Sequence, residues 1–383
     1  MRPHFADLGL TRVGSLTSLD TIGIPVWFAV RPNSRSLSLS HGKGLDDDQA
    51  CISAVMESLE QAVAERPRQL VSIFETIAGM ARRGLTTVPL ADMSRCVDDR
   101  PDPARQRAWV RGLSLMSGEE IFAPYELIGV DLRVDAPWDR AAFRMSSIGL
   151  ASGGSLAEAT VHALCEVVEN DCTAPWQALA ASLPDRRLAF TGGADDFLDE
   201  AVTRVEAAGL QPSFYDVSND IGLPAIMCTI ERTVLDDRGP GARRSAGVAC
   251  RPDPFRAALG AILEAVQTRL TYIAGARDDI DAAQYEPNWR DREFVPVAAT
   301  GAPSIGKAER PAQGGPVTLL RRALDALRRA GISDAYLFPL GGEEIGIHVV
   351  RVLIPSLEAG LEQGVVRIGS RGLAGLLGRN RAA

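Results

Sequence analysis

Three segments of this chain carry the same polar spacing, and that spacing constrains the fold more than any other feature. Gln49, Ser53, Glu57 and Glu60 step by four, four and three residues; Glu158, His162, Glu166 and Glu169 do the same, as do Arg256, Gly260, Glu264 and Gln267. At 3.6 residues per turn these steps confine each set to one narrow stripe of a helix. The spacing predicts helices over 48–64, 156–172 and 254–274, each entered from a Gly- or Pro-containing turn. General identity between the segments is low, so the repeat is one of structure.

A solvated helix face is the ordinary explanation of a Glu pair at i,i+3. The neighbouring residues argue against it here. Thr160, Val161, Ala163, Leu164, Cys165, Val167 and Val168 surround Glu166 and Glu169, and Ile52, Val55, Met56, Leu59 and Val63 lie beside Glu57 and Glu60. No Lys or Arg stands four residues away to pair with these carboxylates. Helices this apolar are largely buried, and crowding buried carboxylates is costly unless cations neutralise them. Magnesium suits such a set, because it takes one or two carboxylates together with waters and substrate phosphates. The candidate metal ligands are Glu57, Glu60, Glu166 and Glu169, with Glu264 from a partial third pair. Lys43, in a Gly-Lys-Gly turn, and Arg269 or Arg277 are candidates for phosphate. Arg269 and Arg277 are equally readable as ion-pair partners of Asp278 or Asp279. There is no Walker A sequence, so the phosphate site would be of a non-P-loop kind.

Composition narrows the alternatives. A chain of 383 residues, 46% hydrophobic and 23% charged, can bury a large core. Its net charge of −8 argues against a surface that wraps nucleic acid or lies on anionic lipid. The six cysteines form no CxxC pair and the four histidines lack metal-ligand spacing, which disfavours a disulfide framework, a zinc site or a His-based triad. No apolar run approaches a membrane span and the first ten residues lack a signal-like stretch, so a cytoplasmic protein is expected. Elsewhere the pattern predicts strands over 22–30 and 36–40, a break at 41–44, and a buried strand over 225–230. A helix–strand–strand unit closes the fold over 310–355, and 368–383 forms a mobile tail. The expected architecture is a single α/β (α+β) domain over 1–383, with mixed sheets flanked by helices and the site mainly within 40–280.

The same residues resemble a known family. Leu19 to Trp27, Arg31-Pro32-Asn33-Ser34, and Gly42-Lys43-Gly44 followed by Ser53 to Glu60 match the YcaO family, and more narrowly its members that work with a TfuA protein. So do Gly149 to Gly154, His162 to Glu169, Glu264 to Arg269 and Gly275 to Asp279. The matches span roughly the first 280 residues in the family's order. The resemblance implies an ATP- and Mg2+-dependent enzyme acting on a peptide backbone amide. A nucleophile adds to the carbonyl, ATP phosphorylates the oxyanion, and loss of phosphate completes the replacement of oxygen. External sulfide gives a thioamide; a Cys, Ser or Thr side chain gives an azoline. Carried over by motif, Ser53, Glu57, Glu60, Glu166, Glu169, Glu264 and Gln267 form the Mg2+–ATP site, with Lys43 and Arg269 near phosphate and Arg277 as the alternative supplier of a phosphate contact. The resemblance also implies a precursor peptide or protein substrate, a TfuA-like sulfur-delivery partner and a homodimer. Two departures stand out. Gln61 and Asn170 replace an arginine the family often has after the second glutamate, and the proline-rich tail of azoline-forming members is absent, which favours thioamidation. A non-catalytic peptide-binding scaffold is the remaining alternative.

Overall fold

The computed structural model describes residues 2–93, 101–179, 186–232, 244–280, 285, 303–305, 314–358 and 371. A three-stranded sheet comes first, ordered β1 (Arg12–Ser15), β2 (Val26–Val30), β3 (Leu39–Lys43), and its edge strand β3 leads into α1 (Asp47–Ala64). Next come α2 (Pro67–Leu70), β4 (Val71–Thr76), α3 (Ile77–Arg82), β5 (Gln106–Ser114), β6 (Glu120–Pro124) and α4 (Tyr125–Ile128). Strand β7 (Leu150–Gly153) then leads into α5 (Leu156–Leu179). A four-stranded sheet follows from β8 (Arg187–Leu188), β9 (Leu210–Asp216), β10 (Ala225–Arg232) and β11 (Arg244–Cys250), with α6 (Asp196–Ala207) between β8 and β9. Its edge strand β11 leads into α7 (Pro254–Ala274). Finally α8 (Pro316–Arg329) precedes β12 (Tyr336–Gly341) and β13 (His348–Leu353), which complete a six-stranded sheet ordered β4-β5-β12-β13-β7 with β6 on β5. Pairings between these strands are antiparallel; among the described residues parallel geometry is confined to two isolated bridges.

One rule therefore governs all three repeated helices: each grows out of the edge strand of its own sheet. Local chemistry explains where they begin. Asp46 caps α1 by accepting from the Gln49 amide, and Asp253 caps α7, with Pro254 at its first position. Ser155 accepts from the Glu158 amide at the start of α5, a Ser-x-x-Glu start. Helix α7 stops at Gly275, whose φ of 58° suits a residue without a side chain.

The strands lie very close to the helices that follow them. A Cβ on Gly42 would stand 2.0 Å from the Ala54 nitrogen, and one on Gly247 would stand 2.3 Å from that of Ala265. This corrects the expected break at 41–44. His41, Gly42 and Lys43 continue β3, paired with Phe28, Trp27 and Val26, and glycine serves close approach there rather than a turn. Helix α5 also outruns its expected end, passing through Pro175 to Leu179.

The six-stranded sheet is covered on both faces. Leu337, Val350 and Val352 pack with Leu164, Val168 and Leu327 of α5 and α8, whereas Phe338 and Val349 pack with Leu59 and Val63 of α1. Helices α6 and α7 cover the four-stranded sheet through Val202, Ile262 and Val266 against Phe214 and Ile226. The closing unit predicted over 310–355 thus places β12 and β13 at the middle of the largest sheet. The tail predicted over 368–383 lies outside the described residues except for Arg371.

Candidate active site

An edge strand leaves backbone N–H groups without ladder partners, and buried N–H groups must find acceptors. Here the glutamates supply them. The amide of His41 on β3 donates to Glu57, that of Gly149 beside β7 donates to Glu166 at 3.1 Å, and that of Cys250 on β11 donates to Glu169 at 2.9 Å. Ser152 on β7 gives Glu60 both its amide and its hydroxyl, the latter at 2.6 Å. Two of these contacts cross between units: β7 holds a glutamate of α1, and β11 holds one of α5.

The carboxylates are half-buried, deep enough that lost hydration dominates their chemistry. Burial raises Glu57 to about 7 against the pull of Lys43 and Arg277. Burial raises Glu60 to about 8, partly offset by the Ser152 hydroxyl, with Glu57 adding to the rise. Glu166 reaches about 8 through burial and then repulsion from Glu60; Glu169 reaches about 8 through burial and then repulsion from Glu264. Repulsion thus pairs Glu60 with Glu166 across the α1–α5 boundary and Glu169 with Glu264 across the α5–α7 boundary. The α7–α1 boundary is different, because the Lys43 ammonium lies 3.2 Å from Glu264 and also acts on Glu57. Among the described residues no three His, Cys, Asp or Glu side chains are placed to hold a metal ion unaided.

The flanking residues are less uniform than the spacing predicts. Arg269 lies with its guanidinium 2.7 Å from Asp20, both side chains nearly buried, an ion pair that ties the segment before β2 to α7 beside the expected phosphate role. Arg277 forks onto Asp279 at 2.6 Å, the expected ion pair, and its charge also lowers Glu57. Ser53 and Gln267 are half-buried on their stripes. Gly260 has a packing role, since a Cβ there would meet the Ala249 Cβ at 2.7 Å. Gln61 is buried and accepts from Ser36, and Asn170 donates to the Glu166 carbonyl of its own helix.

Sequence reading missed Arg351. It is fully buried on β13, donates to the carbonyls of Ile128, Ile148 and Ser146, and its charge lowers Glu60 and Glu166 from behind. A lone arginine in an apolar strand gave only the weak signal that buried charge needs a purpose. Of the cysteines, Cys165, Cys172, Cys228 and Cys250 are free and buried.

The family model described as YcaO cyclodehydratase, ATP- and Mg2+-binding, matches residues 41–358. The chain belongs to the YcaO family. A relative from Rhizobium leguminosarum bv. trifolii, described as an uncharacterized protein in the tfuA 3′ region, is 37% identical over 97% of this chain and 89% of its own length. The YcaO structure from Methanopyrus kandleri, solved with AMPPCP and Mg2+, superposes with a TM-score of 0.72 at 21% identity, covering 96% of this chain and 93% of that one. A heterocyclase solved with substrate and cofactor superposes with a TM-score of 0.74 at 17% identity; this YcaO chain covers 50% of it. These likenesses establish the YcaO fold. No helix among the described residues is long and apolar enough to cross a membrane.

Proposed function

We propose that this chain uses ATP and Mg2+ to O-phosphorylate a backbone amide of a ribosomally made peptide or protein, and that sulfide then gives a thioamide. The observation that carries this reading is the convergence of glutamates from three helices on one cleft, where Glu60 faces Glu166 and Glu169 faces Glu264, and where Lys43 on Glu264 is the ion-pair partner found among the described residues. The donors are all oxygen, and each of the Glu60–Glu166 and Glu169–Glu264 pairs offers the one or two carboxylates Mg2+ takes beside phosphate oxygens. Bound there, Mg2+ would supply charge neutralisation for phosphoryl transfer. Lys43, already at the third boundary, would exchange part of its contact with Glu264 for a phosphate oxygen, with Arg277 close by. Ser53, Glu57, Glu264 and Gln267 would line the nucleotide. No protein nucleophile is required: a nucleophile adds to the amide carbon, the oxyanion takes the γ-phosphoryl group, and phosphate departs.

The relative in the tfuA 3′ region favours sulfide over a side-chain nucleophile, and with it a TfuA-like sulfur-delivery partner. We place the protein in the cytoplasm as a homodimeric single domain over 1–383. The second reading, azoline formation on Cys, Ser or Thr, is supported by the family's cyclodehydratase description. A non-catalytic scaffold fits least, because a peptide-binding surface gains nothing from crowding buried carboxylates. The test combines purified chain, a TfuA-like partner, Mg2+–ATP, sodium hydrosulfide and the peptide fraction of a strain lacking the gene. We expect phosphate release together with a peptide gain of about sixteen mass units, the exchange of oxygen for sulfur that phosphoryl activation allows. A loss of about eighteen units would instead report dehydration after the same activation. Absence of phosphate would sink the enzyme reading.

A further inference from the structure

The proposed reaction must dispose of a proton. Hydrosulfide adds to the amide carbon carrying its S–H hydrogen, the oxyanion oxygen takes the phosphoryl group, and phosphate then leaves with the C–O bond electrons. The C=S bond can form only if the S–H proton is removed; with a Cys, Ser or Thr nucleophile the S–H or O–H proton leaves as the nucleophile adds, and the amide N–H proton leaves with phosphate as C=N forms. The paired glutamates are spent as ligands in this scheme. His41 is buried, and burial followed by the Arg277 charge lowers its imidazole to about 4.

His162 is placed differently. It stands on the α5 stripe one turn before Glu166, and it is exposed where the glutamates are half-buried. Its ring N–H donates to the carbonyl of Ser152, the residue whose amide and hydroxyl hold Glu60. An edge-strand residue in an antiparallel sheet presents its N–H and C=O on the same side, so a single β7 residue ties this imidazole and that carboxylate to one cleft wall. A ring N–H turned to that carbonyl leaves the second nitrogen as an acceptor. The charged groups facing the ring are Arg251, from the connection after β11, and Glu158 on its own helix, with Glu166 one turn further along. Partial desolvation and then Arg251 lower its pKa against Glu158 and the Ser152 carbonyl, which favours the neutral ring at neutral pH.

We propose that His162 is the proton acceptor of the amide-activating reaction, taking the S–H proton of the phosphorylated hydrosulfide adduct on its second ring nitrogen as phosphate departs. This role rests on the function proposed above, and the tests separate the two. In full-length chain, His162→Ala and His162→Gln are compared with wild type for Mg2+–ATP affinity by calorimetry. Phosphate release is followed with the same peptide fraction, partner and hydrosulfide. We expect unchanged affinity and thermal midpoint, a loss of about 100-fold in phosphate release, restoration of His162→Ala by added imidazole, and disappearance of the acidic limb of the wild-type pH–rate profile. Glutamine keeps an N–H donor for Ser152 but offers no proton acceptor, so wild-type rates in His162→Gln would reduce the residue to a tether and overturn the proposal. Wild-type rates in His162→Ala overturn it as well, as does a deficit in that variant that imidazole leaves untouched. If wild type binds Mg2+–ATP but releases no phosphate, the proposed function falls and this role falls with it.

Discussion

Helix α1 and its C-terminal cap carry carboxylates of two kinds, a buried Glu65 and the half-buried pair Glu57 and Glu60. Glu65, at its C-terminal end, meets the Arg31 guanidinium at 2.5 Å and accepts from the hydroxyls of Ser34 and Ser36 at 2.8 and 2.6 Å. Arg31 also donates to the carbonyls of Leu8 and Ser58, so this cluster fastens the N-terminal segment and the 31–36 turn to the helix. Glu57 and Glu60 have backbone and hydroxyl donors but no arginine in ion-pair contact among the described residues, and their pKa values climb to about 7 and 8. A carboxylate that brings its own cation is architecture; one left without it is poised for a cation from outside.

This contrast can be broken most directly by removing charge on each side of it. Glu60→Gln or Glu166→Gln is expected to lower phosphate release by at least about 100-fold, as loss of preorganised charge in a site does. The thermal midpoint should hold or rise, because repulsion is relieved along with the ligand. If turnover persists in both variants, the cleft is not the phosphate site. Arg31→Ala should do the reverse: about 3–5 kcal/mol of stability is lost when a buried pair is broken from one side, read as a lower denaturant midpoint. A small shift there would show the Glu65 cluster to be dispensable. Lys43→Met should sharpen the difference within the cleft, weakening Mg2+–ATP binding by about tenfold, the loss of one charge-assisted contact.

The gentlest test is pH. The folded-state pKa values of Glu57, Glu60, Glu166 and Glu169 lie at about 7 to 8, above the ordinary 4.5. The folded chain therefore holds more protons than the unfolded chain between those limits, and stability must fall as pH rises through that window. Thermal midpoints of ligand-free protein should decline from pH 5 to 8, and Mg2+–ATP should flatten the decline by binding the ionised form. A rising midpoint in ligand-free protein would contradict the assigned shifts.

Much of this was legible in the sequence because helical stripes are local. The α7 boundaries follow from Asp253, Pro254 and Gly275, and the apolar surroundings of Glu166 and Glu169 already implied that these carboxylates lack bulk water. What escaped was set by distant partners. Gly42 and Lys43 read as a turn because glycine marks both turns and close packing, and only the neighbouring α1 backbone decides between them. The Arg269–Asp20 ion pair escaped because Asp20 is far away in sequence. Arg351 gave no local pattern, and the pairing of Glu60 with Glu166 depends on β7 lying beside α1.

The growth of each glutamate helix from a sheet edge has a consequence for how the molecule moves. The three sheets pack against one another through their helices, and at the cleft carboxylates of one unit rest on amides of the next. An occupant of that cleft acts as a rivet. Its arrival would be felt as slowed amide exchange in β3, β7 and β11 together, at strands whose outer rims would otherwise open independently.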